Sequence, residues 1–477
     1  MSKTIHILHT NDLHSQFARM PHIATCLKIH RQQWEAQGDL VLTIDIGDHL
    51  DRMNVKTEAT WGQANVDVLN KSGYQYVTIG NNEGLTLPKE QLDHLYRRAG
   101  FTVVLGNLLE PQAGDVPSWA VPYAIHEWNE CRIALFGVTA PFTSFYQLLG
   151  WEMREPFSFL QEQIQAVRRE VDVVVVLSHL GLHEDRRMAE EIQGIDVILG
   201  GHTHHVLEKG ERLGSTLIAQ VGRFGEYVGH VRLELDAAQK VVAAGAELFP
   251  SVQYPPDLEL LQVLQQEREA AEQVLAEKVV ELETDLEIDW LQETPFGSFL
   301  AASLRRWTNA EIGLANGGLL LSPLKRGTVT RKDLLACVPH PINPCAVTLT
   351  GEQLQRVLQR AVQPDFVQSE LRGFGFRGKI AGWMGIDGLK VHYRESAERE
   401  IVQVWVNGEP LQLTRTYRVG TIDMFMFNRR LLPELVEGCD HQFYLPEVLR
   451  EVFALTLHDK QLLKASRGTR WERLQAD

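Results

Sequence analysis

Residues 4–14 read TIHILHTNDLH, a β-rich apolar run that ends in the polar side chains of Asp12 and His14. The same arrangement recurs along the first 204 residues, in the runs LVLTIDI, YVTI, VDVVVVL and VILGG. Each run is followed by oxygen- or nitrogen-bearing side chains, which are Asp48, Asn81, His179, His202 and His204. An α/β sheet carries its functional loops at the carboxyl ends of its strands. We therefore expect all seven side chains to meet at one edge of an α/β fold.

The length and charge of the chain limit its architecture and its partners. A chain of 477 residues is too long for one ordinary hydrophobic core, so we expect two large domains. The 44% hydrophobic and 23% charged residues are typical of a soluble globular protein. A net charge of −15 argues against a nucleic-acid polymer as partner, because such binders usually carry a basic face. A small anionic ligand remains compatible with this charge if metal cations set the local field.

The compartment is inferred from the first residues and from the cysteines. The start, MSKTIHILHTND, has no basic segment followed by an apolar one, as a secretory signal would. The longest apolar run, residues 173–177, is too short to span a bilayer. The five cysteines are scattered and form no CxxC motif. We expect a cytoplasmic protein with reduced thiols and no membrane partner, in which Cys337 and Cys345 are buried spacers; its oligomeric state is left open.

The first half of the chain has the pattern of an α/β domain. Residues 132–138 and 171–177 read as buried strands, and residues 21–37 and 157–170 carry helical spacing. Pro250, Pro255 and Pro256 then interrupt the chain, and Asp257 is a plausible N-cap for a charged helix. We predict a first domain over residues 1–250, a linker helix over 251–278 and a second domain over 279–477. The alternative for the helix is a surface element of the first domain.

The second half has the pattern of a mixed α/β domain. Residues 299–307 read as a helix, residues 312–315 as a strand, and NGG at 316–318 as a turn. A further helix is predicted over 350–362, with Thr350 as its cap and Gln353 three residues on.

The seven polar side chains suit a metal centre. Carboxylate, amide oxygen and imidazole together favour Zn²⁺, Mn²⁺ or Co²⁺, and no cysteine is among them. On an extended segment residues i and i+2 point to the same side, so Asp12 and His14 can face one ion, as can His202 and His204. The Asp48 carboxylate can bridge two ions. Two ions about 3.5–4 Å apart generate a bridging hydroxide and clamp a phosphoryl group. Each residue taken singly is as compatible with a turn, cap or loop role.

The motifs TNDLH, GD, GN-x-E, SHLG and GHTH, in this order, resemble the calcineurin-like metallophosphoesterase superfamily. The resemblance is to its bacterial 5′-nucleotidase branch, and ETPFGSFLAASLRRWTNAEIGLANGG, GTVTRKDLL and TYRVGTIDMF extend it into the second half. It implies a four-layer α-β-β-α sandwich with two mixed sheets, followed by a second mixed α/β domain. It also implies one ion held by Asp12, His14, Asp48 and His204. The other ion would be held by Asp48, Asn81, His179 and His202.

The chain departs from this family at one position of the metal motif. Where the family reads GNHE, this chain reads Gly80-Asn81-Asn82-Glu83. The family histidine contacts the phosphate and stabilises the departing oxygen, whereas an asparagine at position 82 cannot carry a proton. We predict Asn81 and Asn82 as the catalytic residues. His49 and His183 are candidate substitute acids, with solvated loop roles as the alternative.

The second half departs from the family in its substrate-binding residues. The family carries NGGGIR, and here residues 316–321 read NGGLLL, so the phosphate-binding arginine is absent. Asn316 remains, and Arg377 with Lys379 is the candidate replacement. The family also stacks a base between two aromatic rings, for which Trp383 and Phe425 are the candidates, with core packing as the alternative.

The resemblance implies a metal-dependent phosphoester hydrolase of a small phosphorylated substrate, namely a nucleotide, that uses two divalent ions. Without the histidine, we expect slow turnover of phosphomonoesters or a preference for leaving groups that need little protonation. Aryl phosphates, cyclic nucleotides and pyrophosphate linkages such as those of nucleotide-sugars fit this description. A non-enzymatic alternative is a metal-retaining binding or regulatory protein. In a further alternative, the second domain binds a cell-wall or sugar-nucleotide ligand.

Overall fold

The computed structural model describes residues 3–373, 375–395 and 398–475. The chain divides into two compact units, unit 1 up to Ala271 and unit 2 from Glu272. The boundary lies inside a helix, Leu258–Leu275, where the sequence predicts a linker helix. The predicted N-cap is confirmed, because Asp257 Oδ1 accepts the Leu260 N–H at 2.9 Å.

In unit 1 the strands are β1 (Lys3–Thr10), β2 (Leu40–Asp45), β3 (Tyr76–Val77), β4 (Thr102–Val103), β5 (Leu108–Leu109), β6 (Tyr123–Trp128), β7 (Cys131–Thr139), β8 (Glu152–Met153), β9 (Val173–His179), β10 (Val197–Gly200), β11 (Glu211–Leu213), β12 (Thr216–Ala219), β13 (Tyr227–Leu235) and β14 (Val241–Pro250). The α-helices are α1 (Met20–Glu35), α2 (Val55–Thr60), α3 (Gln63–Ser72), α4 (Asn81–Thr86), α5 (Lys89–Leu95), α6 (Thr143–Leu148), α7 (Pro156–Val167), α8 (Leu182–Glu191) and α9 (Leu258–Leu275).

Two mixed sheets form the centre of unit 1. The first has the order β14-β13-β1-β2-β3-β4, in which β1 to β4 are parallel and β13 and β14 are antiparallel to their neighbours. The second has the order β11-β12-β10-β9-β7-β6, with a parallel centre and an antiparallel strand at each edge. Both sheets therefore have several strand ends of the same direction, which is the arrangement that gathers loops at one edge.

Packing on both faces of the sheets explains the long apolar runs. In β9, Val173 and Val175 pack between the sheets, and Val174 and Val176 pack on the outer face against α7 and α8. A strand buried on both faces reads as a continuous apolar run. Helix α1 packs on β2 of the first sheet. The predicted four-layer α-β-β-α sandwich is thus confirmed, as are the predicted helices at α1 and α7.

In unit 2 the strands are β15 (Lys278–Leu282), β16 (Ile312–Asn316), β17 (Gly327–Thr330), β18 (Pro344–Thr350), β19 (Met384–Asp387), β20 (Leu389–Glu395), β21 (Arg399–Val406), β22 (Glu409–Pro410), β23 (Thr416–Ile422), β24 (Cys439–Phe443) and β25 (Trp471–Leu474). The α-helices are α10 (Pro295–Trp307), α11 (Arg331–Cys337), α12 (Gly351–Ala361), α13 (Pro364–Val367), α14 (Met424–Phe427), α15 (Pro433–Glu437), α16 (Leu449–Thr456) and α17 (Lys460–Ala465).

Unit 2 is a mixed α/β fold, as predicted. Its larger sheets have the orders β19-β16-β23-β18-β24 and β22-β21-β20-β25, and α10 packs on the first of them. Helix α12 begins with the predicted capping box, in which the Thr350 side chain accepts the backbone N–H of Gln353 and the Gln353 side chain accepts the backbone N–H of Thr350. Cys337 and Cys345 are buried, as expected for spacers. Among the helices of the described residues, none combines the length and the apolar character needed to cross a membrane.

Candidate metal centre

The ends of the parallel strands bring the predicted metal ligands together. Strand β1 pairs with β2 up to Thr10 and Asp45, and the loops that follow carry Asp12 and Asp48. In the second sheet Gly200 pairs with Ser178, which precedes His179 at the end of β9, and His202 follows two residues after Gly200. These loops belong to unit 1 alone. They form two groups of side chains that can each hold a metal ion.

The first group consists of Asp12, His14 and His204. Asp12 Oδ1 lies 3.3 Å from His204 Nε2 and 3.7 Å from His14 Nε2, and the two histidine nitrogens are 3.2 Å apart. One carboxylate oxygen and two imidazole nitrogens at this spacing suit a borderline divalent ion.

The second group consists of Asp12, Asp48 and His179. His179 Nε2 lies 3.5 Å from Asp48 Oδ1 and 3.9 Å from Asp12 Oδ1. The other oxygen of Asp48 faces the first group, with Oδ2 3.9 Å from His14 Nε2. Asp48 therefore has one oxygen towards each group, the placement expected of a bridging carboxylate. Asp12 belongs to both groups, although the sequence assigned it to one ion.

Asn81 and His202 lie beside the second group. Asn81 is the first residue of α4, and the backbone N–H of the next residue, Asn82, donates to Asp48 Oδ1 at 2.7 Å. The His202 ring has its centroid 5.3 Å from that of His179, and its backbone N–H donates to Asp12 Oδ2 at 2.9 Å. His202 is in neither three-residue group, so its role as a ligand stays a prediction.

Three buried atoms of this centre have no hydrogen-bond partner among the described residues: Asp12 Oδ1, Asn81 Oδ1 and His179 Nε2. Leaving a buried polar atom unpaired is costly, so each such atom in a folded protein needs an explanation. Asp12 Oδ1 and His179 Nε2 belong to the two ligand groups, and all three atoms are of a kind that binds divalent ions. The residues present therefore fit a resident metal.

The protonation of the centre also fits a cation. His179 Nδ1 lies 2.7 Å from the Ile46 carbonyl, which fixes one proton at Nδ1 and turns Nε2 to the site. Burial lowers the pKa of His179, but the Asp48 and Asp12 carboxylates outweigh it and raise the pKa to about 10. Burial likewise disfavours the charged form of Asp48, yet the charge of His179 holds its pKa well below its usual range. A metal ion would replace the proton on Nε2 of His179 and keep the Asp12 and Asp48 carboxylates ionised.

The loops that carry the predicted ligands are not extended, contrary to the expectation from sequence, but have residues in the left-handed conformation. Five of the predicted ligands have positive φ, which are Asp12 (51°), His14 (44°), Asp48 (50°), His202 (73°) and His204 (59°). Left-handed backbone is sparsely populated by residues other than glycine, and such residues cluster at functional sites. Tertiary bonds hold this shape, since the N–H groups of Asp12 and His14 donate to Gly47 O and Asp48 O. The same-side argument from strand geometry was wrong, although the side chains still converge.

Glu83 organises the Asp48 loop, a role that sequence reasoning missed. Its carboxylate accepts the N–H groups of Gly80 (2.7 Å), Asp48 (2.9 Å) and Leu50 (2.9 Å). The motif GN-x-E contained the signal for this role, because a glutamate at the third helical position often bonds back to the helix start.

The two candidate substitute acids lie in different surroundings, and their acid role stays a prediction. His49 is buried, with Nδ1 3.4 Å from Asp45 Oδ1 and 3.7 Å from Glu83 Oε1, so its expected solvated role is wrong. The His183 side chain is 90% exposed and lies next to Glu184, in agreement with its solvated alternative.

Asn82 is buried behind His14. Its Nδ2 donates to the Leu50 carbonyl at 2.8 Å and lies 3.0 Å from His14 Nδ1. One amide hydrogen is therefore taken by the Leu50 carbonyl, and an amide has no titratable proton to give. Asn82 holds a ligand histidine in place, and its predicted catalytic contact stays untested.

Asp185 is a second buried carboxyl group that the sequence did not single out. Ser178 Oγ donates to its Oδ1 at 2.5 Å, and Gln220 Nε2 donates to its Oδ2 at 2.6 Å. Burial raises the pKa of Asp185 to about 7 despite these bonds. The contacts join α8 to the ends of β9 and β12, and so fix the segment that precedes His179.

The substrate-binding candidates all lie in unit 2. Asn316 is the last residue of β16, and its Nδ2 donates to the Ala381 carbonyl at 2.7 Å. The backbone N–H of Arg377 donates to His340 Nδ1 at 2.9 Å. Trp383 and Phe425 are only 5% and 0% exposed and belong to the hydrophobic core. Core packing accounts for both rings, and base stacking by either would need its face to become exposed. None of these four roles is established.

Replacing Gly80 by alanine is expected to displace the second ligand group. A Cβ there would overlap Asp48 Oδ1 and lie 2.6 Å from His179 Nε2. The φ of −101° and ψ of −170° at Gly80 are allowed for alanine, so the disturbance comes from these contacts and from the Asp48 backbone nitrogen, 2.6 Å from the Cβ, and not from backbone strain. We expect metal affinity to fall by about 10- to 100-fold, the usual effect of disturbing the groups around a metal ligand. The measurement is metal content after dialysis against limiting Mn²⁺ or Zn²⁺.

Gly245→Ala is the matched control, because no heavy atom lies within 4 Å of a Cβ at that position. Unchanged metal content in Gly80→Ala would contradict the proposed ligand positions.

Comparisons with known proteins agree with this geometry. A family model described as calcineurin-like phosphoesterase matches residues 5–206, and one described as 5′-nucleotidase, C-terminal domain, matches residues 274–429. The uncharacterized metallophosphoesterase YunD of Bacillus subtilis (strain 168) is 38% identical over 462 residues, which cover 96% of this chain and 100% of YunD.

Solved structures show the same fold over the whole chain. The NAD nucleotidase of Haemophilus influenzae is similar with a TM-score of 0.69 and 15% identity, over 99% of this chain and 100% of that one. A 5′-nucleotidase precursor from Thermus thermophilus has a TM-score of 0.57 and 21% identity, with 99% and 100% covered.

Proposed function

This chain belongs to the calcineurin-like phosphoesterases with a 5′-nucleotidase C-terminal domain, and we propose that it hydrolyses a small phosphorylated metabolite, a nucleotide, with two divalent ions. The observation that carries the proposal is the set of unpaired buried atoms, Asp12 Oδ1, Asn81 Oδ1 and His179 Nε2. Their residues, together with His14, Asp48, His202 and His204, would hold the ions. Mn²⁺, Zn²⁺ and Co²⁺ are the ions that this donor set favours.

When bound, such ions activate a water molecule for attack on phosphorus and neutralise the phosphoryl oxygens. The protein residues hold the two ligand groups at a fixed spacing. Asp12 belongs to both groups, and Asp48 has one oxygen towards His14 and the other towards His179. Glu83 fixes the Asp48 loop by accepting three backbone N–H groups. A buried bond to the Ile46 carbonyl orients His179, and the Asn82 side chain packs 3.0 Å from Nδ1 of His14. The site is therefore preorganised for a displacement at phosphorus that needs little movement of its ligands.

We further propose that the preferred leaving group needs no proton. The family histidine is replaced by Asn82, whose Nδ2 donates to the Leu50 carbonyl and whose amide has no titratable proton. An alkoxide is a poor leaving group without a proton donor, whereas a phenolate or a phosphate is a good one. Aryl phosphates and pyrophosphate linkages should therefore be better substrates than nucleoside monophosphates, whereas cyclic phosphodiesters, which also expel an alkoxide, should not be.

A metal titration with a substrate panel tests the function. Apoprotein would be titrated with Mn²⁺, Zn²⁺ or Co²⁺, and hydrolysis of p-nitrophenyl phosphate, bis(p-nitrophenyl) phosphate, a cyclic nucleotide, AMP and ADP would be measured. We expect two equivalents of metal per chain and turnover only with metal. Bound metal without turnover on any of these substrates would favour a metal-retaining binding or regulatory protein. Turnover in a thoroughly chelated sample would contradict the metal mechanism.

A further inference from the structure

An exposed arginine lies on a rigid loop at the side of the metal centre. The loop, residues 222–225, follows the last metal-ligand segment and is fastened to the first one. The Phe224 N–H donates to the Asp12 carbonyl at 2.8 Å, and Asn11 Nδ2 donates to the Gly222 carbonyl at 2.7 Å. The Gly222 N–H also donates to the His205 carbonyl at 2.8 Å. The loop is therefore bonded to the chain on both sides of the first ligand group.

The backbone conformation of Phe224 is of the strained kind that is found at ligand-binding sites. Phe224 has a φ of +61°, and a bulky residue in the left-handed region is a genuine outlier. Such outliers persist where the surrounding structure over-determines them, and they cluster at ligand sites. Here the strain turns the Phe224 ring onto His14, with the ring centroids 5.7 Å apart in an edge-to-face arrangement.

Arg223 is stacked on the same ring. Its guanidinium carbon lies 4.6 Å from the Phe224 ring centroid, and the side chain is exposed. Within the part of the chain that the structure describes, this guanidinium has no carboxylate partner. An arginine that is stacked on an aromatic ring loses less rotamer freedom when it binds a planar or tetrahedral oxyanion. In a chain of net charge −15, such a cation next to a metal centre favours an anionic ligand.

We propose that Arg223 binds a second anionic group of the substrate, adjacent to the phosphoryl group that is held at the metal centre. The ligand groups account for the reacting phosphoryl, and Arg223 lies one aromatic ring away from His14. A compound with a pyrophosphate bond has its second phosphate next to the first. Its class is therefore a diphosphate, and Arg223 is the cation of unit 1 that would hold the second phosphate.

This inference rests on the proposed hydrolytic function, and it identifies the preferred leaving group as a phosphate. In the reaction, an oxygen of water forms a bond to phosphorus and its proton passes to solvent. The P–O bond to the second phosphate breaks, and its electron pair remains on the departing phosphate. The charge that develops there would be offset by Arg223, so no proton donor at position 82 is required.

Arg223→Ala, with Arg223→Lys and a control, tests the proposal. ADP and p-nitrophenyl phosphate would be compared as substrates, and methylenediphosphonate and inorganic phosphate as ligands of the metal-loaded protein by calorimetry. Loss of one charge-assisted contact is worth roughly 10- to 100-fold in affinity. We expect Arg223→Ala to raise the KM for ADP and the Kd for methylenediphosphonate by about 10-fold or more, and to change kcat/KM for p-nitrophenyl phosphate by less than about 3-fold. Arg223→Lys should lose less than Arg223→Ala, because it keeps the charge.

Arg169→Ala is the control, since Arg169 is also exposed and has no carboxylate partner in the described chain. It should behave as the wild type with every ligand. Equal effects of Arg223→Ala on monophosphate and diphosphate ligands, or none on either, would overturn the proposal. The calorimetry separates this result from a failure of the hydrolytic function, because methylenediphosphonate binding by the metal-loaded wild type does not require turnover.

Discussion

Asp48→Asn is expected to lower metal-dependent hydrolysis by about 10³-fold or more, because Lewis-acid stabilisation is worth several kcal/mol and each ~1.4 kcal/mol is a factor of ten. Asp48 Oδ1 lies 3.5 Å from His179 Nε2, and Oδ2 lies 3.9 Å from His14 Nε2. The amide keeps one oxygen but replaces the other with an NH₂ group, which cannot bind a cation. The expected metal content is therefore about one ion per chain in place of two.

The fold should survive this substitution. Asparagine tolerates the left-handed φ of 50° at position 48, and its Oδ1 can still accept the Asn82 N–H. Kinetics and elemental analysis of the purified variant give both readouts, and circular dichroism gives the fold. Asp115→Asn, in an exposed turn, is the control and should keep wild-type metal content. An Asp48→Asn protein with two ions and full activity would refute the bridging role.

Asn82→His is expected to raise kcat for AMP by about 10²-fold or more, since general-acid catalysis is typically worth about 10²–10⁴. Asn82 Nδ2 is one bond from Cγ, as is the Nδ1 of histidine. The introduced imidazole can therefore keep the hydrogen bond to the Leu50 carbonyl, which is 2.8 Å long in this structure. Its second nitrogen extends further than the amide and can carry a proton near neutrality.

The effect should depend on the leaving group. For p-nitrophenyl phosphate, whose phenolate departs without a proton, we expect a change of less than about 10-fold, because a general acid has little to contribute there. Asn82→Ala is the companion variant. It leaves the buried Leu50 carbonyl without this donor and releases His14, so it should lower metal affinity without favouring either substrate. Equal acceleration of AMP and p-nitrophenyl phosphate by Asn82→His would contradict the leaving-group argument.

Much of the fold could be predicted from sequence, for identifiable reasons. The run in β9 is buried on both faces, so it is continuous in apolar residues and easy to recognise. Strands β1 and β2 are also largely buried and are rich in Ile, Leu and Val. Helix α12 carries its own start signal in Thr350 and Gln353. The ligand residues follow such runs directly, so the edge of the sheet on which they meet was also predictable.

The rest depends on contacts between segments that are distant in the chain. The left-handed conformation of Asp12 is held by a bond to Gly47, and that of Phe224 by a bond to Asp12. No local pattern marks either residue. The direction of the Asn82 side chain depends in the same way on the position of the Leu50 carbonyl. Trp383 and Phe425 were predicted to stack on a base because of their positions relative to the family motifs. Such a position does not show whether a ring faces solvent or the core.

The positive φ angles at Asp12, His14, Asp48, His202 and His204 restrict which amino acids can serve as ligands there. Aspartate, asparagine and histidine enter this region several-fold more often than other residues with a side chain. Short polar side chains can also bond to their own backbone in it. Glutamate and cysteine bind divalent ions as well, but they lack this conformational advantage. The backbone conformation of the loops thus limits the ligand residues at these five positions mainly to aspartate, asparagine and histidine, whichever ion binds. A related protein that uses a different metal would have to choose among these residues or change the conformation of the loops.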